Sequence, residues 1–172
     1  MTPSPVGAKR PNGAALGRAV VITVSDRCSQ GKAKDISGHL LREGLEALGF
    51  KTGRPTVVPD EREAIAAALR RAARSCDVVV LTGGTGLSPR DRTPEVVESL
   101  CERLIPGIGE ALRARGASST PLSALSRSTA GQLGKALVVA LPGSAGGVRD
   151  GLAVLAELLT HAVHVLRGGD HG

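Results

Sequence analysis

Residues 77–81 (DVVVL) run without a break into Thr82-Gly83-Gly84-Thr85-Gly86, and then into Leu87-Ser88-Pro89-Arg90-Asp91-Arg92-Thr93-Pro94-Glu95. A short β-branched apolar run bounded by glycines reads as a strand buried on both faces. Thr93 followed by Pro94 reads as a helix start, with Thr93 as the cap and Pro94 at the first helical position. The stretch is therefore strand, glycine loop, helix. The same grammar recurs on either side. Residues 18–25 (RAVVITVS) and 135–141 (KALVVAL) read as strands, and 51–58 as a weaker one. Ile36, Leu40, Leu41, Leu45 and Leu48 fall at helical spacing with Gly49 as a stop. Residues 61–74 form a second helical pattern, and a short helix follows Gly107. Residues 121–126 are predicted as a short strand. Ser144 is placed to cap a last helix with Val148, Leu152, Leu155, Leu159, Val163 and Leu166 on one face. Alternating strands and helices predict a parallel sheet with helices on both sides. In such sheets ligands bind beyond the carboxyl ends of the strands.

The loops after the strands carry the chemistry-bearing residues. Gly83, Gly84 and Gly86 free the backbone to turn N–H groups onto an anion, and Thr82 and Thr85 add hydroxyls. The helix near Pro94 directs its positive end there. Asp91 is suited to Mg²⁺, and Arg90 or Arg92 to phosphate oxygens. A second loop, Pro142-Gly143-Ser144, repeats the pattern of a glycine turn before a helix. Ser25-Asp26-Arg27 and Pro59-Asp60 follow the other strands, and Ser126-Arg127 offers a further phosphate contact. Each has a plainer reading: a glycine turn, a capped helix at Ser144, or Asp60 as the N-cap of the helix from Glu61. Walker A fails at residues 129–136 (TAGQLGKA), and the dinucleotide fingerprint fails where Pro89 stands for its third glycine. His161 and His164 lie three apart on the last helix without a cysteine or carboxylate at ligand spacing, so zinc is not expected.

Composition sets the outer bounds. A chain of 172 residues with 41% hydrophobic and 22% charged residues has globular proportions and the length of one domain. It holds one Phe (Phe50), no Tyr and no Trp, too few rings for a base-stacking nucleic-acid platform. The net charge of +6 favours anionic partners without a polybasic block. No apolar run is long enough for a bilayer, so no membrane partner is expected. Cys28, Cys76 and Cys101 are odd in number and far apart, which predicts reduced thiols and a cytoplasmic location. Residues 1–17 are predicted as a disordered leader, 18–167 as a single domain and 168–172 as a flexible end.

Together these residues resemble the molybdopterin adenylyltransferases of molybdenum cofactor biosynthesis, the Mog/MoaB group, which includes domains of a plant cofactor-synthesis protein and of gephyrin. The resemblance is carried, in family order, by Val24-Ser25-Asp26-Arg27, Val58-Pro59-Asp60, Leu81-Thr82-Gly83-Gly84-Thr85-Gly86, Arg90-Asp91-Arg92-Thr93-Pro94-Glu95, Pro106-Gly107-Ile108-Gly109-Glu110, Leu125-Ser126-Arg127 and Leu141-Pro142-Gly143-Ser144. It covers residues 18–166. It implies a three-layer α/β sandwich with a mostly parallel sheet flanked by helices, assembled as a homotrimer or hexamer. It also implies Mg²⁺-dependent transfer of AMP from ATP to molybdopterin, with release of pyrophosphate, and a MoeA-like molybdenum-insertion protein downstream. Asp60 and Asp91 match the important acidic residues and are assigned to catalysis and Mg²⁺. Substrate and nucleotide binding falls to Ser25, Asp26, Thr82, Gly83, Gly84, Thr85, Gly86, Arg90, Ser126, Arg127, Pro142, Gly143 and Ser144. Many relatives follow Leu-Pro-Gly-Ser with Pro-Lys, where this chain has Ala145-Gly146-Gly147; Arg149 on the first helical turn is the nearest substitute. Three alternatives stand beside this reading: a molybdopterin-binding paralogue without catalysis, a CinA-type nucleotide-processing domain, and a nucleic-acid module suggested by charge alone.

Overall fold

The computed structural model describes residues 15–169. Its backbone is a seven-stranded sheet. The order is β2 (Phe50–Thr52), β1 (Gly17–Val24), β4 (Val78–Thr82), β7 (Ala136–Leu141), β6 (Ala130–Leu133) and β5 (Arg103–Leu104), and β3 (Thr56–Val58) also pairs with β1. β2, β3, β1, β4 and β7 run parallel; β6 alone runs against them, pairing antiparallel with both β7 and β5. β4 and β7 occupy the centre, and every residue of both is buried. This is why their sequences are continuous apolar runs: a central parallel strand has helices on both faces and no solvent face to mark.

The alternation along each strand divides the core in two. Val78, Val80, Leu137, Val139 and Leu141 pack on one face with Leu41 and Leu45 of α2 (Ile36–Ala47), Leu112 of α5 (Pro106–Ala117), and Val148, Leu155 and Leu159 of α6 (Ala145–Leu166). Val79, Leu81, Val138 and Ala140 pack on the other with Ile65 and Leu69 of α3 (Arg62–Ala73) and Val96 and Val97 of α4 (Thr93–Leu100). The result is the expected three-layer α/β sandwich. Phe50, the lone aromatic residue, is buried in the first cluster and offers no ring to a ligand.

Several local expectations change. Residues 51–58 split into β2 and β3, each pairing with a different half of β1 around Gly53-Arg54-Pro55. Pro cannot donate to a ladder, so the edge strand breaks there. Residues 121–126 are not a strand; Pro121–Leu125 is a 3₁₀ turn capped by Thr120, whose hydroxyl accepts from the Leu122 N–H. β6 and β5 carry no strand signature in the sequence: β6 has Gly and Gln among its four residues, and β5 is two exposed residues long. Leu16 and Gly17, within the expected leader, join the fold: the Leu16 N–H donates to Gly49 O and Gly17 starts β1. The rest of that leader, residues 1–14, and residues 170–172 lie outside the described residues.

Burial pushes the Cys76 and Cys101 thiols up to about 11, so both behave as small apolar groups. No helix among the described residues is long and apolar enough to cross a membrane.

Candidate functional site

The carboxyl ends of β1, β3, β4 and β7 lie side by side because these strands are parallel and in register. Their loops therefore meet at one edge of the sheet. The β4 and β7 loops approach closely enough for their backbones to touch. Gly83 donates its N–H to Leu141 O, and a Cβ on Gly143 would stand 3.1 Å from the Gly83 Cα. Gly83 has φ +103°, and a Cβ there would lie 2.2 Å from Val24 O. Only glycine suits that position.

These loops form the floor of a cleft of about 620 Å³. One side is Gly83, Gly84, Thr85, Gly86, Leu87 and Asp91; the other is Pro142, Gly143, Ser144, Gly146 and Gly147. The third wall comes from α5, the 3₁₀ turn and the segment after it: Leu112, Leu122, Leu125, Ser126 and Ser128. Of this wall the sequence points only to Ser126; the leucines and the 3₁₀ turn carry no such signal. Thr120-Pro121 does carry the same cap-and-proline signal as Thr93-Pro94 and would have revealed a helical turn. Leu122 (68% exposed), Leu87 (66%) and Leu125 (53%) give the cleft an apolar rim. In a chain almost without rings, an aliphatic slot of this kind is what remains to sandwich a flat heterocycle.

The N–H groups of Gly84, Thr85 and Gly86 find no acceptor among the described residues, whereas the carbonyls of Gly83 and Gly84 are taken by the Thr93 hydroxyl (2.8 Å) and the Thr93 N–H (3.1 Å). The loop is thus anchored by its acceptors and leaves donors for an anion. Thr93 does this from inside α4. The N-cap position is Arg92, with no side-chain cap bond, so Thr93 is a tether of the loop and not the helix cap.

The acidic residues occupy distinct places. Asp91 lines the cleft, and its Oδ2 accepts from the Ser88 N–H at 3.0 Å. Asp60 is not the cap of α3, since that position is Glu61 without a side-chain bond. Instead Asp60 and Asp26 exchange bonds: the Asp26 N–H donates to Asp60 Oδ2 at 2.9 Å, and the Asp60 N–H donates to Asp26 Oδ1 at 3.0 Å. Asp60 Oδ1 would lie 3.3 Å from a Cβ on Gly84, which sets it against the glycine loop. Burial raises the Asp60 carboxyl above the ordinary range, and the charges of Asp26 and Asp91 raise it further against the Asp26 N–H and Arg90. The Asp26 carboxyl is held low, chiefly by the Asp60 N–H and then by Arg90.

Other expected ligand contacts are placed differently. Arg90 is turned toward Asp26, with its Nε and Nη2 both donating to Asp26 Oδ2, at 2.9 and 2.6 Å. Thr82 is fully buried and donates to Pro142 O at 3.0 Å, so its hydroxyl locks the two loops together. Ser25 caps α1 (Asp26–Ser29) by accepting from Cys28 N, and lines a separate hollow of about 360 Å³ with Thr82 and Cys28. Arg127 is committed to the loop: it donates to Gly86 O (2.8 Å), Asp91 O (2.9 Å) and the Glu95 carboxylate. Arg149 is exposed and outside the cleft lining. The cleft lining therefore contains Asp91 and Asp150 but no Lys or Arg. The chain's net charge of +6 is not spent on this cleft.

Removing the Arg90 cation should bring the two carboxyls closer together, because Arg90 lowers Asp26 more than it lowers Asp60. In Arg90→Gln, the Asp26 carboxyl is expected to titrate at higher pH than in the parent, and Asp60 to rise as well. Because the Asp26 pairing lowers its pKa, its stabilisation is present above the unfolded value and fades as pH falls through the folded one. Carbon-detected NMR titration of the aspartate carboxyls, without metal, reads both shifts. Unmoved titrations in the variant would contradict the assigned pairing.

Comparison with known proteins resolves what such a cleft belongs to. The family described as "Probable molybdopterin binding domain" matches residues 20–161. The chain belongs to this family. It is 47% identical over 164 residues to a molybdenum cofactor biosynthesis bifunctional protein of Synechococcus elongatus, covering 94% of this chain and 51% of that protein. The chain thus spans about half the length of that relative, and the same holds for a bifunctional relative from Chlorobaculum tepidum. It is 36% identical to a molybdopterin adenylyltransferase of Helicobacter pylori, covering 86% of each chain. A solved structure of MogA matches with a TM-score of 0.84 and 41% identity, over 87% of this chain and 99% of that one. The chain is thus a member of the Mog/MoaB group of molybdenum cofactor biosynthesis proteins, as its motifs implied.

Proposed function

We propose that the chain transfers AMP from ATP to molybdopterin, giving adenylyl-molybdopterin and pyrophosphate, with Mg²⁺ as cofactor. The observation that carries this reading is the pairing, in one cleft, of open glycine-loop N–H groups with the Asp91 carboxylate and an apolar leucine wall, with Asp60 set against the same glycine loop. The nucleophile is a terminal phosphate oxygen of the pterin, already ionised near neutral pH. It bonds to the α-phosphorus of ATP, and the bridging bond to the β-phosphate breaks with its electrons leaving on pyrophosphate. No general base is required, and no histidine lines the cleft.

What the chain must supply is electrostatic. Gly84, Thr85 and Gly86 N–H groups receive phosphate oxygens. The donor chemistry at Asp60 and Asp91 fits a hard cation: Oδ2 of each carboxylate accepts a backbone N–H, and no bond among the described residues engages either Oδ1. No larger group of metal-binding side chains exists among the described residues. Two carboxylates completed by substrate phosphates is an arrangement Mg²⁺ accepts. When bound, the ion would neutralise phosphate charge, which matters because no Lys or Arg lines the cleft. Gly143 and Ser144 shape the opposite wall, and Leu112, Leu122, Leu125 and Pro142 flank the heterocycles. Self-association as a homotrimer, hand-over to a MoeA-like protein and a cytoplasmic setting complete the reading.

Incubation with molybdopterin, MgATP and pyrophosphatase should yield adenylyl-molybdopterin and phosphate, separable by chromatography. A folded chain that binds molybdopterin but forms no adenylated pterin would overturn the reading in favour of a binding paralogue.

A further inference from the structure

We infer that Arg127 and Glu95 act as positioning residues that hold the Asp91 loop in its working shape from behind, without touching phosphate. The loop between β4 and α4 leaves the sheet at Gly83 and carries Asp91 at its far end. Its own cross-bonds are few: Asp91 N–H to Ser88 O at 2.9 Å, Ser88 N–H to Asp91 Oδ2 at 3.0 Å, and a longer bond from Arg90 N–H to the Ser88 hydroxyl. Arg127 closes it from outside. One guanidinium spans both ends, donating through Nε to Gly86 O and through Nη2 to Asp91 O, while Nη1 pairs with Glu95 on α4. The Arg127 N–H adds a fourth tie, to Thr85 O at 2.9 Å.

The rigid fork of arginine is what allows three acceptors in different directions to be met at once. Glu95 fixes the fork to a helix. Neither residue lines the main cleft; both line a hollow of about 400 Å³ on the other side of the loop, with Pro94 and Arg113. The Glu95 Oε2 atom is buried there with no hydrogen-bond partner, so the Arg127 pairing through Oε1 is what holds that carboxylate. A displacement of about 1 Å at a reacting centre costs on the order of 100-fold in rate, so a residue that sets the position of Asp91 has catalytic weight without contacting substrate.

The rate readout rests on the adenylyl-transfer reading; amide exchange does not. In the substrate-free chain, Arg127→Ala and Glu95→Ala should each speed exchange of the Ser88 and Asp91 amides by at least about tenfold. With molybdopterin and MgATP, well below the thermal midpoint, both should lower kcat by about 100-fold, and the double variant should be no slower than the worse single. Arg127→Lys should fail to rescue, since an ammonium cannot reach three acceptors. Three results would overturn the inference: unchanged exchange at Ser88 and Asp91 in Arg127→Ala, an undiminished kcat in Glu95→Ala, or rescue by lysine with the Arg127→Ala defect confined to KM for MgATP, which marks a direct phosphate contact. If the parent chain makes no adenylyl-molybdopterin, the functional reading falls and exchange alone decides: faster exchange supports the positioning role and unchanged exchange refutes it. Should Arg127→Ala not fold, Glu95→Ala, which removes the Nη1 acceptor, decides both measurements by itself.

Discussion

Asp91→Asn is expected to lower kcat for adenylyl transfer by at least about 100-fold, the scale for losing one preorganised electrostatic partner of a phosphoryl transition state. The substitution is chosen for its shape. Asp91 both lines the cleft and accepts the Ser88 N–H that closes its own loop. An amide oxygen still accepts that bond, so the loop keeps its turn while the negative charge is lost. Asp91→Ala removes both functions and should be at least as slow. With no Lys or Arg lining the cleft, charge neutralisation depends on what the carboxylates can hold, so the loss should shrink little with added MgATP. Calorimetric titration with MgATP and single-turnover assays of the folded variant read the two effects separately. An Asp91→Asn protein that adenylates molybdopterin at the parent rate would remove Asp91 from the mechanism.

Gly83→Ala should produce the largest loss of stability, about 3–5 kcal/mol, from a backbone conformation closed to L-residues together with a steric clash. At φ +103° an alanine is strained before any neighbour is considered, and its Cβ would lie 2.2 Å from the backbone oxygen of Val24. That oxygen belongs to β1 and cannot swing aside as a side chain would. Relief requires β1 and β4 to separate, or the β4 loop to leave its contact with Gly143, and either movement opens the floor of the cleft. Gly146→Ala is the control: a Cβ there meets nothing within 4 Å, so stability should change by well under 1 kcal/mol. Urea unfolding with a shared m-value measures both. A Gly83→Ala chain within about 1 kcal/mol of the parent would show that the loop relaxes freely.

Much of the architecture is legible in the chain because the central strands are extreme cases. Residues 78–82 and 136–141 are buried on both faces, so their apolar runs have one reasonable interpretation. The helices facing them show helical periodicity, and the loops that follow carry glycines whose presence needs a reason. The edge of the sheet is different. β5 and β6 are short, partly exposed or built from Gly and Gln, and their pairing is decided by the neighbouring strand. The 3₁₀ turn at Pro121–Leu125 likewise looks extended in sequence, because five residues are too few to show a period.

Residue types and order determined which loops matter and which family the chain belongs to. They could not determine partners. Sequence offered Arg90, Arg127, Asp26 and Thr82 as ligand contacts, since a cation, a carboxylate and a hydroxyl near a glycine loop are chemically apt. Tertiary structure pairs Arg90 with Asp26, turns Arg127 onto two carbonyls and Glu95, and spends the Thr82 hydroxyl on Pro142 O. A polar side chain held against a loop meets the nearest protein acceptor first, and residues 41 positions apart, such as Gly86 and Arg127, become neighbours only when the sheet brings them together. Local sequence fixed the identity of each donor and acceptor; the long-range packing of the parallel sheet decided which of them remain open to a substrate.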